Sequence, residues 1–346
     1  METLWFIIIA VMITAYVVLD GFDLGAGVIY LVAAKTDNER RAVLKAIGPV
    51  WDGNEVWLVA AGGTLYFAFP HLYASSFSGF YLPLMIVLWL LMLRAISIEF
   101  RLHVPSPVWK SLFDAMFFLV SALLAIFFGA ALGNVIRGVP LDAQGFFFEP
   151  LWTNFHVSHH PGILDWYTVL AGVVALSALT CHGALYIAVK AEGALYLRAQ
   201  GLAVITWPVL FFVTIVSLVA TYFVRPSLMR NYSAHPVGYG IPVLVFTALA
   251  MMIWAAPKGK VKLAFVASGL YIAGMLVGAA FALYPVVLPA STGPEYNLTI
   301  YNTAAAHHGL AVGLAWWVLG AALALAYFFF IYRMFAGKVS LEGQGH

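Results

Sequence analysis

The stretch LWFIIIAVMITAYVVLDGFDLGAGVIYLV, residues 4–32, decides the class of fold. It holds no Lys or Arg, and its only charges are Asp20 and Asp23. A bilayer hydrocarbon core of about 30 Å needs roughly 20 apolar residues in a helix that rises about 1.5 Å per residue. Backbone groups in lipid have to be satisfied within the segment, so the span is a helix. The run lacks a basic start and continues well past the length of a leader core, so it reads as a retained first helix.

The rest of the chain repeats the pattern. Of its 346 residues 63% are hydrophobic and 9% charged, with a mean hydropathy of +0.94. Soluble domains carry about 25% charged residues, so too little polar surface exists here to keep the chain in water. The net charge of +2 is scattered over loops, which excludes a basic nucleic-acid face. The single cysteine, Cys181, lies in an apolar run and supports no disulfide framework.

Further apolar runs place spans at roughly 4–32, 48–69, 77–97, 113–134, 163–189, 202–224, 237–256, 263–285 and 308–335. The expected fold is an all-α polytopic membrane protein of about nine transmembrane helices, arranged as two four-helix bundles plus one peripheral helix. It forms a single integral-membrane domain, 1–346. The longest connections, 135–162 and 286–307, are rich in Pro, Gly, Asn and His and read as ordered surface loops.

One set of loops holds Lys35, Arg40, Arg41, Lys45, Arg94, Arg101, Lys110, Lys190, Arg198, Lys258, Lys260, Lys262, Arg333 and Lys338. The other keeps only Arg137, Arg225 and Arg230 of the 17 basic residues. Positive residues stay cytoplasmic, so the N-terminus is expected outside and the C-terminus inside the cell, which an odd number of spans satisfies. Glycine pairs one turn apart, Gly21/Gly25, Gly129/Gly133, Gly274/Gly278 and Gly309/Gly313, are expected to let helices approach closely. Pro83, Pro208 and Pro242 are expected to kink theirs.

Four acids fall more than three residues inside a span. Asp20 and Asp23 lie in the first, and Asp52 and Glu55 in the second, where they follow Trp51 and flank Asn54. Each pair is spaced i, i+3 and shares a helix face. A charge within the bilayer costs several kcal/mol, so such residues face the protein interior and mark ion or proton routes. At about 1.5 Å per residue, Asp52 and Glu55 would lie roughly 5 to 10 Å inside the basic surface, Asp23 roughly 15 Å inside and Asp20 near the middle. No basic residue lies at matching depth in these two spans, so the four are expected to form an uncompensated ladder of carboxyls that relays protons. The competing readings are a helix break capped by Asp20 or Asp52 beside its glycine, and a coordinated cation.

The strings Leu19-Asp20-Gly21-Phe22-Asp23-Leu24-Gly25 and Gly48-Pro49-Val50-Trp51-Asp52-Gly53-Asn54-Glu55-Val56-Trp57-Leu58 resemble the N-terminal signature of subunit II of cytochrome bd quinol oxidases. Phe77-Ser78-Gly79-Phe80-Tyr81, Glu99-Phe100-Arg101, Gly133-Asn134, Gly138-Val139-Pro140, and Tyr284-Pro285 leading to Leu298-Thr299-Ile300-Tyr301-Asn302 extend the likeness over essentially the whole chain. The resemblance implies a haem-free subunit in the bacterial inner membrane. Its partner would be a larger subunit I that holds two haem b and one haem d, oxidises quinol and reduces dioxygen to water. A small single-helix third subunit is also compatible with the family. It further implies a cytoplasmic proton path through Asp23 and Asp52; Asp20 and Glu55 match positions that vary more. Trp51 either positions Asp52 or contacts the partner. A structural quinone in a lipid-facing groove is a family possibility that nothing in the sequence localises.

His182, in the fifth span, is the one histidine placed to ligate a haem axially, but it lacks a partner on a facing helix. His307 and His308 lie at the far boundary of the last span, and His71, His103, His156, His159, His160 and His235 lie in loops. No haem or metal is therefore expected on this chain. Arg94, Glu99 and Arg101 are expected at the basic end of the third span, as a solvated helix end or with Arg101 paired to Glu99 or a neighbouring subunit. The alternatives from other classes are a stand-alone proton-coupled transporter, which lacks the internal repeat such proteins show, and a self-sufficient membrane cytochrome.

Overall fold

The computed structural model describes residues 1–158 and 161–339; His159 and His160, expected in a loop, lie outside the described residues. The first apolar run becomes α1, Glu2–Ala33, unbroken across Asp20-Gly21. That continuity removes the reading of Asp20 as the cap of a helix break. Next comes α2, Asp37–Ile47, closed by a capping box in which Thr36 accepts from the Glu39 amide and Glu39 reaches back. The second expected span is α3, Trp51–Ala68, followed by the short α4, Pro70–Gly79, which starts on a proline suited to a helix's first position. The remaining long helices are α5 (Tyr81–Phe100), α6 (Pro107–Arg137), α7 (Trp166–Lys190) and α8 (Gly193–Val224). After the one-and-a-half-turn α9 (Met229–Ala234) come α10 (Gly240–Ala255), α11 (Val261–Leu283) and α12 (His307–Met334).

Eight of these helices are long and apolar enough to cross a membrane: α1, α5, α6, α7, α8, α10 with the turn before it, α11 and α12. The ninth expected span, α3, falls outside that set because Asp52, Asn54 and Glu55 crowd its first turns. Of the three prolines expected to kink helices, only Pro208 lies inside one. Pro83 and Pro242 fall in the first turns of α5 and α10, where backbone N–H groups have no intrahelical acceptor to lose.

The chain packs as two groups of four, α1/α3/α5/α6 and α7/α8/α10/α11, joined where α1 meets α7 and α11 and where α6 meets α7. Glycines make the central seam possible. A Cβ on Gly25 would collide with the Leu179 carbonyl and Gly183, and one on Gly129 would come within 2.5 Å of the Ala171 carbonyl. Gly309, by contrast, faces open space. Helix α12 is peripheral: Leu310 is its only buried residue. Near its start it carries a carbonyl, that of Leu310, which accepts from the buried Trp5 indole at 3.2 Å. Trp5 is therefore a packing residue.

The two long connections fold against each other. Strands β1 (Val286–Leu288) and β2 (Leu298–Thr299) form an antiparallel pair, and Val139 bridges to Ala290 beside it. Beneath this cap Arg137 donates to Glu149 at 2.7 Å, to Asn134 at 2.7 Å, to the Gly162 carbonyl at 3.0 Å and to Asp165. Glu149 and Asp165 are each about 1% exposed, so these loop acids are interior groups. Burial pushes the Glu149 carboxyl up to about 7, against the pull of the Arg137 guanidinium.

Candidate functional site

Helix α1 packs against α3 and carries Asp20 and Asp23, both fully buried. Arg94, two turns inside α5, is buried against them. Its guanidinium reaches both Asp20 oxygens at 2.8 Å and Glu55 of α3 at 2.8 Å. The expectation of an uncompensated ladder is thus corrected: one arginine clamps two of the four acids. The expectation failed over three residues of helix length. Residues 77–97 put Arg94 at a span end, whereas α5 runs to Phe100 and carries Arg94 about 9 Å inward at 1.5 Å per residue.

Asp23 is held differently. Asn54, fully buried on α3, donates to Asp23 Oδ2 at 2.8 Å and to the Leu19 carbonyl at 3.3 Å. Its amide oxygen accepts from the Tyr332 hydroxyl of α12 at 2.8 Å. Among the described residues the buried Asp23 Oδ1 finds no hydrogen-bond partner, and neither does the Tyr16 hydroxyl one turn before Asp20. Glu55 keeps about a fifth of its side chain exposed, and Asp52, in the first turn of α3, lies at the surface. The structure therefore joins Asp20 to Glu55 through Arg94, sets Asp23 beside them on Asn54, and leaves Asp52 outermost. Trp51 faces Arg94, whose guanidinium carbon lies 6.0 Å from the ring centroid, a cation–π distance.

Toward the basic face a second ionic cluster ties the connections down. Asp114, at the first residues of the expected span 113–134, is buried two turns inside α6. It accepts from Tyr30 at 2.8 Å, Arg40 at 2.7 Å and Arg101 at 2.5 Å. Arg101 also donates to Asp37 at 2.8 Å, so its partners are Asp114 and Asp37, not Glu99. Burial opposes ionisation of Asp37, but hydrogen bonds from Arg101 and Lys110 outweigh it and hold the carboxyl at about 2.

His182 is buried, and both ring nitrogens are engaged: Nδ1 with the Ser268 hydroxyl at 2.6 Å and Nε2 with the Val18 carbonyl at 3.0 Å. Neither is free for a haem iron. His307, His308, His103, His156 and His235 are exposed. Among the described residues no three His, Cys, Asp or Glu side chains converge as a metal site. A cavity of about 700 Å³ opens between the two helix groups, lined mainly by apolar side chains of α1, α6, α7, α8, α10 and α11, with Tyr16 on its wall.

Sequence reasoning missed Arg94 as a site residue, and also Tyr332 and Tyr16. Arg94 could have been found by extending the third span to its full helical length. Tyr332 has no local signal, because it reaches Asn54 across 278 residues of sequence.

The arrangement has relatives. A solved structure of a bd oxidase from Geobacillus thermodenitrificans has the same fold, with a TM-score of 0.76 over 96% of this chain and 98% of that one, at 17% identity. A probable cytochrome oxidase subunit 2 of Haemophilus influenzae is 31% identical over 97% of this chain and 94% of its own length. The cytochrome bd-I ubiquinol oxidase subunit 2 of Escherichia coli is 29% identical over 91% and 88%, and the cytochrome bd ubiquinol oxidase subunit 2 of Bacillus subtilis 29% over 90% and 89%. Such end-to-end similarity displaces the transporter reading. The family model for cytochrome bd terminal oxidase subunit II matches residues 1–335, and the chain belongs to that family.

Proposed function

We propose that this chain is the haem-free subunit of a terminal oxidase that oxidises quinol and reduces dioxygen to water, and that it conducts protons toward a haem-bearing subunit I. In this reading two haem b and one haem d reside in the partner, the basic face of the chain is cytoplasmic, and the N-terminus lies outside. Protons enter at the exposed Asp52 and pass the half-open Glu55 to Asp23. Asp20 and Arg94 fix the electrostatics of the route.

The observation that carries the proposal is Asp23, fully buried in a membrane helix, with one oxygen held by Asn54 and the other unpartnered. Leaving a buried polar atom unpaired costs about 1–3 kcal/mol, and among the described residues Asp23, unlike Asp20 and Glu149, has no ion pair to offset it. A proton-exchanging acid needs one oxygen open. Purification of the native complex tests the assembly: a haem-rich larger subunit co-purifies if the reading is right, and a colourless homomer refutes it. Asp23→Asn in that complex is expected to slow oxygen reduction roughly a hundredfold or more, the range found when a proton-transferring group is lost. Normal turnover and proton uptake in this variant would make the acids structural only.

A further inference from the structure

We infer that Tyr332 is a positioning residue for proton exchange at Asp23, acting through the amide of Asn54. The inference rests on the reading of Asp23 as a proton-carrying group. It begins from an oddity of α12, which is nearly all exposed apolar surface yet sends one hydroxyl into the polar core. Phe328, one turn earlier, packs on Trp57 with ring centroids 5.6 Å apart and seats the helix end against α3. Beyond α12, the Lys190 ammonium donates to the Phe335 carbonyl at 2.7 Å and the Val339 amide to the Lys190 carbonyl at 2.8 Å, which fastens that end to α7. The Tyr332 hydroxyl is thereby held in place.

A primary amide offers one acceptor and two donors, and at Asn54 all three are used. The oxygen accepts from Tyr332, and the nitrogen donates to Asp23 Oδ2 and the Leu19 carbonyl. The Tyr332 hydroxyl, together with the Leu19 carbonyl, which can only accept, tells the two ends of the amide apart. It aims N–H groups at Asp23, holds Oδ2 as an acceptor, and leaves Oδ1 as the atom that takes the proton. Without it the buried Asn54 oxygen has no donor, the amide is fixed by the Leu19 carbonyl alone, and its hydrogen bond to the carboxylate is weakened. The ionisable groups around Asp23 are Asp20 on α1, Glu55 on α3, Arg94 on α5, Tyr186 on α7 and Tyr332 on α12. Tyr332 is the one of these that also touches the amide.

The test uses the whole oxidase complex, with haem content as the measure of assembly and the pH dependence of oxygen consumption as the readout. Tyr332→Phe removes one hydroxyl. It is expected to move the pH of half-maximal turnover upward by about half to one unit, a three- to tenfold change in proton affinity, because a hydrogen bond that favours the carboxylate is lost. Asn54→Leu deletes the amide at similar size and should produce at least that displacement. Adding Tyr332→Phe to it should produce no more. Should Tyr332→Phe fail to assemble, the comparison of Asn54→Leu with the parent decides whether the amide governs the profile at all. An unchanged profile in Tyr332→Phe or Asn54→Leu, or additive displacements in the double variant, overturns the inference. Failure of the underlying reading looks different: Asp23→Asn would then leave turnover and its pH profile unaltered.

Discussion

Arg94→Met is the most discriminating perturbation of the buried ion cluster. Methionine keeps much of the stem volume and removes the one cation that, among the described residues, is ion-paired with Asp20. Asp20 is fully buried and has Arg94 as its ion partner, whereas Glu55 keeps some access to solvent. Removing one member of a buried pair costs about 3–5 kcal/mol, since an uncompensated charge is left behind. At roughly 2 °C per kcal/mol for a domain above 150 residues, the midpoint of thermal unfolding should fall by roughly 6–10 °C. Pairing the change with Asp20→Asn removes the stranded charge and should restore most of that loss, since such coupled sites are non-additive. Glu55→Gln alone should cost about 1 kcal/mol or less, as expected of a partly exposed pair. The assay is thermal unfolding of the detergent-solubilised complex, followed by intrinsic fluorescence. A drop below about 2 °C for Arg94→Met, or a double variant less stable than either single one, would refute the assignment of Arg94 as the counter-ion of Asp20.

Gly183→Ala should destabilise by about 1–3 kcal/mol through overpacking, because its Cβ would meet the backbone of Gly25 and Ala26; unchanged thermal stability would show that α1 and α7 are not in that contact. Glu149, whose carboxyl is raised from 4.5 to about 7, binds more protons folded than unfolded. The stability of the 138–165 connection should therefore fall as pH rises from about 4.5 to about 7, and Glu149→Gln should flatten that dependence, read by hydrogen exchange of the loop.

The long apolar spans were legible because a bilayer imposes one physical requirement, continuous apolar length, that composition displays directly. The peripheral helix and the two groups of four follow the same logic. The short helices were less visible. The Thr36–Glu39 capping box was present in the sequence as a start signal for α2, whereas α4 is defined by a break at Phe69-Pro70 inside a run of continuous hydropathy. At the site, the acids announced themselves by being charged in an apolar run, but their partners did not. Arg94 was taken for a helix end because the expected span stops at Ser97, whereas Ile98, Glu99 and Phe100 continue α5, and a charged residue near a boundary reads as solvent-facing. Asp114 was missed for the same reason at the start of α6. Tyr332 was invisible because a tyrosine in the last helix carries no mark of the residue it will touch.

The polarity of α3 shows why these partners have to be supplied from elsewhere. With Asp52, Asn54 and Glu55 in its opening turns, α3 carries groups that each resist transfer into hydrocarbon, by about 2.5–3.5 kcal/mol for an aspartate at mid-helix. Its position in the bundle is stabilised only because Asn54 finds Asp23 and Tyr332, Glu55 finds Arg94, and α12 covers the flank at Trp57. The residues that make α3 a poor membrane helix are thus the ones that bind it to α1, α5 and α12. Asp52 is the exception, with its carboxyl at the surface. In the proposed route Asp52, at the surface of a helix whose Asn54 and Glu55 turn toward their partners, is where a proton arrives from water before Glu55, one turn on, receives it.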